Sequence, residues 1–159
     1  MFVFLQFQRT SFTIPVDFTT YLIMSIQISP ITAPATYPLR HSVLWPDKPL
    51  DYVRIDEDEE GYHYGTYLEN ELVAVISLFV DGEKARFRKF ATHPDHQNKG
   101  LGTLLLQHVF AEAKRLGAST IYCDARLTAA NFYKRFDMQP TGPVFYKGPI
   151  PYQRYETRT

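Results

Sequence analysis

The residues of this chain best suited to chemistry lie between positions 90 and 103. Phe90, Ala91 and Thr92 end a strand-like run, and His93–Pro94–Asp95–His96 turns the chain. Gln97–Asn98–Lys99–Gly100–Leu101–Gly102–Thr103 then leads into a strongly apolar helical run. The first turn of a helix has backbone N–H groups without intrahelical partners, and the helix dipole adds partial positive charge there. Such a turn can hold a phosphate or pyrophosphate. Gly100 and Gly102 let the backbone come close to a ligand with no Cβ in the way. Lys99 adds a cation beside that position. The chemistry this stretch offers is anion binding.

Two other glycine patterns are absent. A dinucleotide fingerprint needs a third glycine where Leu105 stands, and a Walker loop needs Gly–Lys–Ser/Thr. Elsewhere, His63, His93 and Asp124 have the chemistry of a base, though each reads first as a surface or structural residue. Cys123 could carry an acyl group, but no histidine adjoins it in sequence, and a buried strand cysteine is the preferred reading. Lys84, Arg86 and Arg88 share one face of a strand, where they either meet phosphates or form a solvated face. The run Asp56–Glu57–Asp58–Glu59–Glu60 either rims a site for a cationic amine or forms a solvated, mobile loop; the second reading is preferred.

Composition narrows the classes. Seventeen basic residues balance seventeen acidic ones, so no bulk charge draws the protein to nucleic acid. The single cysteine excludes an internal disulfide and a multi-cysteine zinc site. No metal is expected, and a reducing, cytoplasmic setting is. No apolar run approaches the roughly 18 residues of a membrane span. Met1–Phe2–Val3–Phe4–Leu5 has no cationic segment before it, so a cleaved signal peptide is not expected. At 159 residues the chain fits one domain. Met24 stands just before the alternating Ser25–Pro30 segment. The expectation is that 1–23 is an upstream extension and 24–159 the folded domain.

Periodicity supplies the elements that must position these residues. Ser25–Pro30 alternates as a first strand, and Leu39, Val43 and Leu44 mark a short helix before Pro46. Tyr62–Leu68, Leu72–Val80 and Lys84–Thr92 form three strands, with Glu69–Asn70 and Asp81–Gly82 as turns, so an antiparallel meander is expected. The helix after the glycines carries Leu101, Leu104, Leu105, Val109, Ala113 and Leu116 as an apolar stripe and stops at Gly117. Ser119–Ala125 returns as a strand parallel to the third meander strand. Thr128 caps a short helix holding Phe132, Tyr133 and Phe136. Four prolines in 138–155 confine the remaining strands to short or edge positions.

Gln97–Asn98–Lys99–Gly100–Leu101–Gly102 fits Gln/Arg–x–x–Gly–x–Gly/Ala and resembles the acyl-CoA-binding motif of the GNAT superfamily of N-acyltransferases. The His93–Pro94–Asp95 lead-in resembles that family's approach to the turn. Ala129–Asn131–Phe132–Tyr133, with Met138 beyond, resembles its late Ala–x–x–Phe–Tyr segment. The closing Phe145–Tyr152 segment is similar to the tail of the ElaA/YjcF-type branch. The resemblance covers about residues 24–159. It implies an α/β fold: a mixed, twisted sheet of about six or seven strands flanked by three or four helices.

The activity the resemblance implies is transfer of an acetyl group from acetyl-CoA to a primary amine, small-molecule or peptide, by direct attack in a ternary complex. Gln97, Asn98, Lys99, Gly100, Leu101, Gly102 and Thr103 would cradle the cofactor pyrophosphate. Phe90, Ala91 and Thr92 would run beside the pantetheine arm, with the amides of Phe90 and Thr92 facing the reacting carbonyl. Tyr133 maps onto the general acid. Three positions depart from the pattern. Arg126 stands where an asparagine often contacts the cofactor, Asp137 replaces a glycine, and Tyr152 replaces the branch's histidine. The family's strand glutamate maps onto Ile121, which cannot take a proton. That absence keeps a second class in view, a catalytically silent acyl-CoA-binding sensor or interaction domain. A homodimer remains open, because nothing in the sequence fixes the oligomeric state.

Overall fold

The computed structural model describes residues 25–159; the expected extension at 1–23 and Met24 lie outside them. Seven strands form one mixed sheet in the order β1-β2-β3-β4-β5-β7-β6. β1 (Ile26–Ile31), β2 (Tyr62–Leu68), β3 (Glu71–Asp81) and β4 (Lys84–Thr92) make an antiparallel run with tight turns. β5 (Thr120–Arg126) lies parallel to β4, and β6 (Gln139–Lys147) and β7 (Ile150–Arg158) close the other edge. The sheet and three α-helices agree with the expected fold.

The helices sit on opposite faces because side chains alternate along the strands. Ile76 of β3 packs with Leu105, Leu106 and Val109 of α2 (Leu101–Arg115), while its neighbour Val75 packs with Leu39 of α1 (Ala33–Leu39). α3 (Ala130–Lys134) shares the α2 face, where Tyr133 joins the main core. Leu104 departs from the expected stripe. It is exposed, whereas Leu106 is fully buried, because the buried arc runs through 101, 105, 109, 113 and 106 and leaves 104 on its flank.

Three further expectations are corrected. β7, despite Pro151, is nine residues long and interior, since that proline comes at its second position; of these two strands β6 alone is at an edge. Thr128 makes no side-chain cap and lies within a 3₁₀ turn, Leu127–Ala129, that precedes α3. The acidic run is not a free loop. Asp56–Glu60 is a 3₁₀ turn whose Asp58 is buried against Arg40, at 2.8 Å through both carboxylate oxygens. Arg40 also donates to Ser77 Oγ and to the Val53 carbonyl, so the segment is pinned to the sheet.

Two features of β4 create the site. Its pairing with β5 spans only Lys84–Arg86 against Thr120–Tyr122, so beyond Arg86 the strands part. The register against β3 shifts between Val75 and Ser77, where the β4 partners jump from Ala91 to Arg88. The extra residue makes a bulge, and Lys89 takes it up at φ +52°. Before the bulge, Ala85 and Phe87 face α2; after it, Phe90 faces α2 and Ala91 faces α1. The alternation is thus reversed within one residue.

Candidate active site

The parted edge of β4 carries the first functional groups. The His93 N–H donates to the Val73 carbonyl at 2.8 Å, which turns His93 and Ala91 towards β3. Strand alternation then directs the amides of Phe90 and Thr92 away from β3, into the gap. These backbone groups have no strand to pair with, because β5 has diverged. They are free to pair with an extended ligand.

Past Thr92 the chain makes the 3₁₀ turn Pro94–His96 and reaches α2 through residues with positive φ, Asn98 at +59° and Gly100 at +79°. Asparagine and glycine tolerate that region better than other residues. The Gln97 side chain donates to the Thr92 carbonyl at 3.0 Å and ties the turn to the strand end. Asn98, Gly100, Gly102 and Thr103 line a groove with Phe90, Ala91, Thr92, Phe132 and Arg135. A Cβ on Gly102 would lie 3.2 Å from Phe90 Cζ and 3.5 Å from Thr92 Oγ1. A larger side chain there would crowd Phe90 and Thr92 at the groove floor. These residues suit a pyrophosphate with an extended thiol arm.

The predicted residues of the turn contribute unequally. Leu101 is buried against Leu68 and Val73, so it can offer only its backbone. Lys99 is exposed and does not line the groove. Arg126 is in a second cleft, where it donates to the Leu44 carbonyl at 3.1 Å and to the Tyr152 hydroxyl at 3.2 Å. Its guanidinium also stacks over Trp45.

This second cleft, about 560 Å³, passes through the gap between β4 and β5. It shares Val43, Phe90, Gln97, Thr128 and Ala129 with the first groove, so the two meet there. Tyr133 lines it from the α3 side, packed against Phe87, Phe132 and Tyr155. Among the described residues its hydroxyl makes no side-chain hydrogen bond. Burial, aided by the nearby Cys123, pushes the phenol well above its usual range, which keeps the proton on the oxygen. Cys123 is buried as expected, and burial likewise holds it as a thiol.

None of the three candidate bases is a free base in this cleft. His63 is buried, with Nδ1 bonded to Ser77 Oγ and Nε2 to the Asp58 carbonyl. His93 is on the surface, capping the Pro94–His96 turn, and lines neither cleft. Asp124 does line the cleft, but Arg86 and Arg154 hold it at 2.8 and 3.0 Å. Burial alone would raise its pKa; the two arginines outweigh that and lower it. Arg86 and Arg88 are in this cleft and not in the glycine groove, while Lys84 reaches neither.

Lys89 was not singled out by the sequence, and no glycine or proline marks its bulge. It is partly buried in the cleft, and its pKa falls to about 8 through burial first, then the charges of Arg40, Arg88 and Lys147. Among the described residues no group of three His, Cys, Asp or Glu side chains is arranged to hold a metal ion.

The model of the acetyltransferase (GNAT) family matches residues 30–138, which contain the meander, the glycine turn and Tyr133. The chain belongs to the GNAT family. It is similar to the uncharacterized N-acetyltransferase YitI of Bacillus subtilis, 22% identical over 76% of this chain and 87% of that one. Among solved structures, a putative N-acetyltransferase from Lactobacillus plantarum superposes with a TM-score of 0.76, at 20% identity, over 84% of this chain and 98% of that one. A GNAT acetyltransferase from Elizabethkingia anophelis with acetyl-CoA bound gives 0.68 at 19% identity, over 84% and 98%. At these identities the structural likeness is one of fold. A GNAT sheet parted between its fourth and fifth strands thus underlies both clefts.

Proposed function

We propose that this chain transfers an acetyl group from acetyl-CoA to a primary amine by direct attack within a ternary complex. The observation that carries the reading is the meeting of the two clefts at Phe90 and Gln97, with Tyr133 lining the second of them. Acetyl-CoA enters along the glycine groove. Its pyrophosphate rests on the free amides of the first turn of α2, and its arm pairs with Phe90 and Thr92. Acetyl-CoA in a structure of the same fold supports that choice of co-substrate.

The amine approaches through the second cleft and forms the new C–N bond as the C–S bond breaks. A backbone N–H of the parted β4 edge receives the charge on the carbonyl oxygen. Tyr133 gives its proton to the departing thiolate and regains one, through water, from the amine nitrogen. The amine must arrive neutral. The burial and cations that lower Lys89 to about 8 favour the neutral form of an amine held beside it.

The transferase domain is taken as residues 24–159, with 1–23 an upstream extension. The closing segment Phe145–Tyr152 supports placement near the ElaA/YjcF-type branch. A cytoplasmic setting fits the lone buried cysteine, and neither nucleic acid nor membrane is proposed as a partner. No helix of the described residues is long and apolar enough to cross a membrane. A thiol-release screen with acetyl-CoA against amine classes tests the reading. Turnover of an amine supports it, whereas acetyl-CoA binding without thiol release supports a silent acyl-CoA sensor.

A further inference from the structure

The second cleft carries an unusual balance of charge. Arg86, Arg88, Lys89, Arg126 and Lys147 line it, against the single carboxylate of Asp124. That carboxylate is already shared by Arg86 and Arg154. Arg88 reaches Glu57 at 3.4 Å. Among the described residues no carboxylate comes within 4.0 Å of Lys89, Lys147 or Arg126. Arg126 bonds only neutral oxygens, and the Lys147 ammonium lies 4.6 Å from the centre of the Tyr152 ring.

The acidic run neutralises this group only in part, through the Glu57–Arg88 pair. Asp58 is turned inward onto Arg40, Glu57 contacts Arg88 from outside, and no residue of 56–60 lines the cleft. A rim that recruits a cationic amine is therefore not what these acids form. The cations also lie apart from the glycine groove, whose own cation is Arg135. Like charges confined in a partly desolvated cleft repel one another, and an anion bound among them relieves that repulsion.

We infer that the acceptor is an amine bearing an anionic group, a carboxylate or a phosphate, received by Arg88, Lys89 and Lys147. The inference rests on the proposed transferase reading and names the substrate class of that same cleft. Burial and neighbouring cations lower Lys89, and burial lowers Lys147 although the Asp124 charge opposes it, which agrees with the inference. An anion docked there gives the amine a fixed direction towards the gap, so charge acts here as an orienting device.

The test uses the full chain and matched amines, each pair differing only in the anion. Glycine against glycinamide and β-alanine against its amide probe a carboxylate; phosphoethanolamine against ethanolamine probes a phosphate; spermidine is the cationic control. Acetyl-CoA affinity is measured separately by calorimetry. The expected result is a kcat/KM about 10–100-fold higher for the anionic member of at least one pair, as for a hydrogen bond to a charged group. Which pair responds identifies the anion. Lys147→Gln and Lys89→Gln, checked for folding by circular dichroism, should each collapse that ratio and leave acetyl-CoA affinity within about twofold, a tolerance for small indirect effects. Lys147→Gln is the safer variant, because Lys89 occupies the bulge. Equal or better use of the neutral or cationic amines overturns the inference, as does a ratio that survives both substitutions. A loss confined to acetyl-CoA affinity also overturns it and assigns the cations to the cofactor. Failure of the wild-type protein to bind acetyl-CoA overturns the transferase reading itself, before any amine is compared.

Discussion

Arg40 grips Asp58 through two hydrogen bonds of 2.8 Å, and neither side chain reaches solvent appreciably. The pair fastens the acidic 3₁₀ turn to the sheet on the α1 face. Removing one partner leaves the other charge buried and alone, which typically costs about 3–5 kcal/mol. Asp58→Ala should therefore lower stability by about 3 kcal/mol in urea denaturation. The contribution also depends on pH. Burial alone would raise the Asp58 pKa, but Arg40 and the Ile55 N–H outweigh it and lower it. The carboxyl's stability is thus complete above its unfolded value of about 4 and lost as the pH falls below that. A wild-type protein losing stability no faster than Asp58→Ala below pH 4 would contradict this assignment.

Lys89 works in the opposite direction. Its folded pKa of about 8 lies below its unfolded value of about 10.4, so the unfolded chain binds more protons between the two. Stability should rise with pH across that window through this group. The side chain is only partly desolvated, so screening reduces the effect to about 1 kcal/mol. Lys89→Met should raise the midpoint of unfolding at pH 7 and remove the rise between pH 8 and 10. The same variant should lose discrimination among acceptors. A lower midpoint at pH 7 would mean that the ammonium is not under strain.

The sequence made the glycine turn legible because its constraints are local. Gly100 needs its positive φ, Gly102 must carry no Cβ, and the helix must start there whatever surrounds it. The hairpin at Asp81–Gly82 and the meander were visible for the same reason. The Arg40–Asp58 pair was not, since it links residues 18 apart across the sheet face and nothing in the acidic run distinguishes Asp58 from its neighbours. The bulge at Lys89 was hidden because a lysine carries it. Without the bulge, alternation places Arg86 and Arg88 correctly on one face but misses that Lys89 joins them. Charge in the cleft likewise depends on β4, β5 and β6 converging, which spacing along one strand does not reveal.

Gly102 offers a direct probe of the groove. Its missing Cβ is what separates the backbone from Phe90 and Thr92, and the groove runs over that point. Gly102→Val should weaken acetyl-CoA binding about tenfold, equivalent to about 1.4 kcal/mol. The acceptor KM should change less. Calorimetry with coenzyme A checks the first expectation, and unchanged affinity would place the cofactor elsewhere.

Tyr133→Phe removes the hydroxyl while keeping the packing against Phe87, Phe132 and Tyr155. The expected loss in kcat is about 10²-fold or more, with little change in acetyl-CoA affinity. Wild-type turnover would remove Tyr133 from proton transfer. Because burial holds the phenol well above its usual range, the high-pH limb of kcat should stay flat through pH 9. A fall below that pH would indicate a different acid.

The most direct measurement is a crystal structure of the protein with coenzyme A. The pyrophosphate is expected on the backbone amides between Asn98 and Thr103, with the arm paired with Phe90 and Thr92. The sulfur is expected within hydrogen-bond reach of the Tyr133 hydroxyl, about 3–3.5 Å. A pyrophosphate bound among Arg88, Lys89 and Lys147, or a sulfur directed away from Tyr133, would contradict this binding mode.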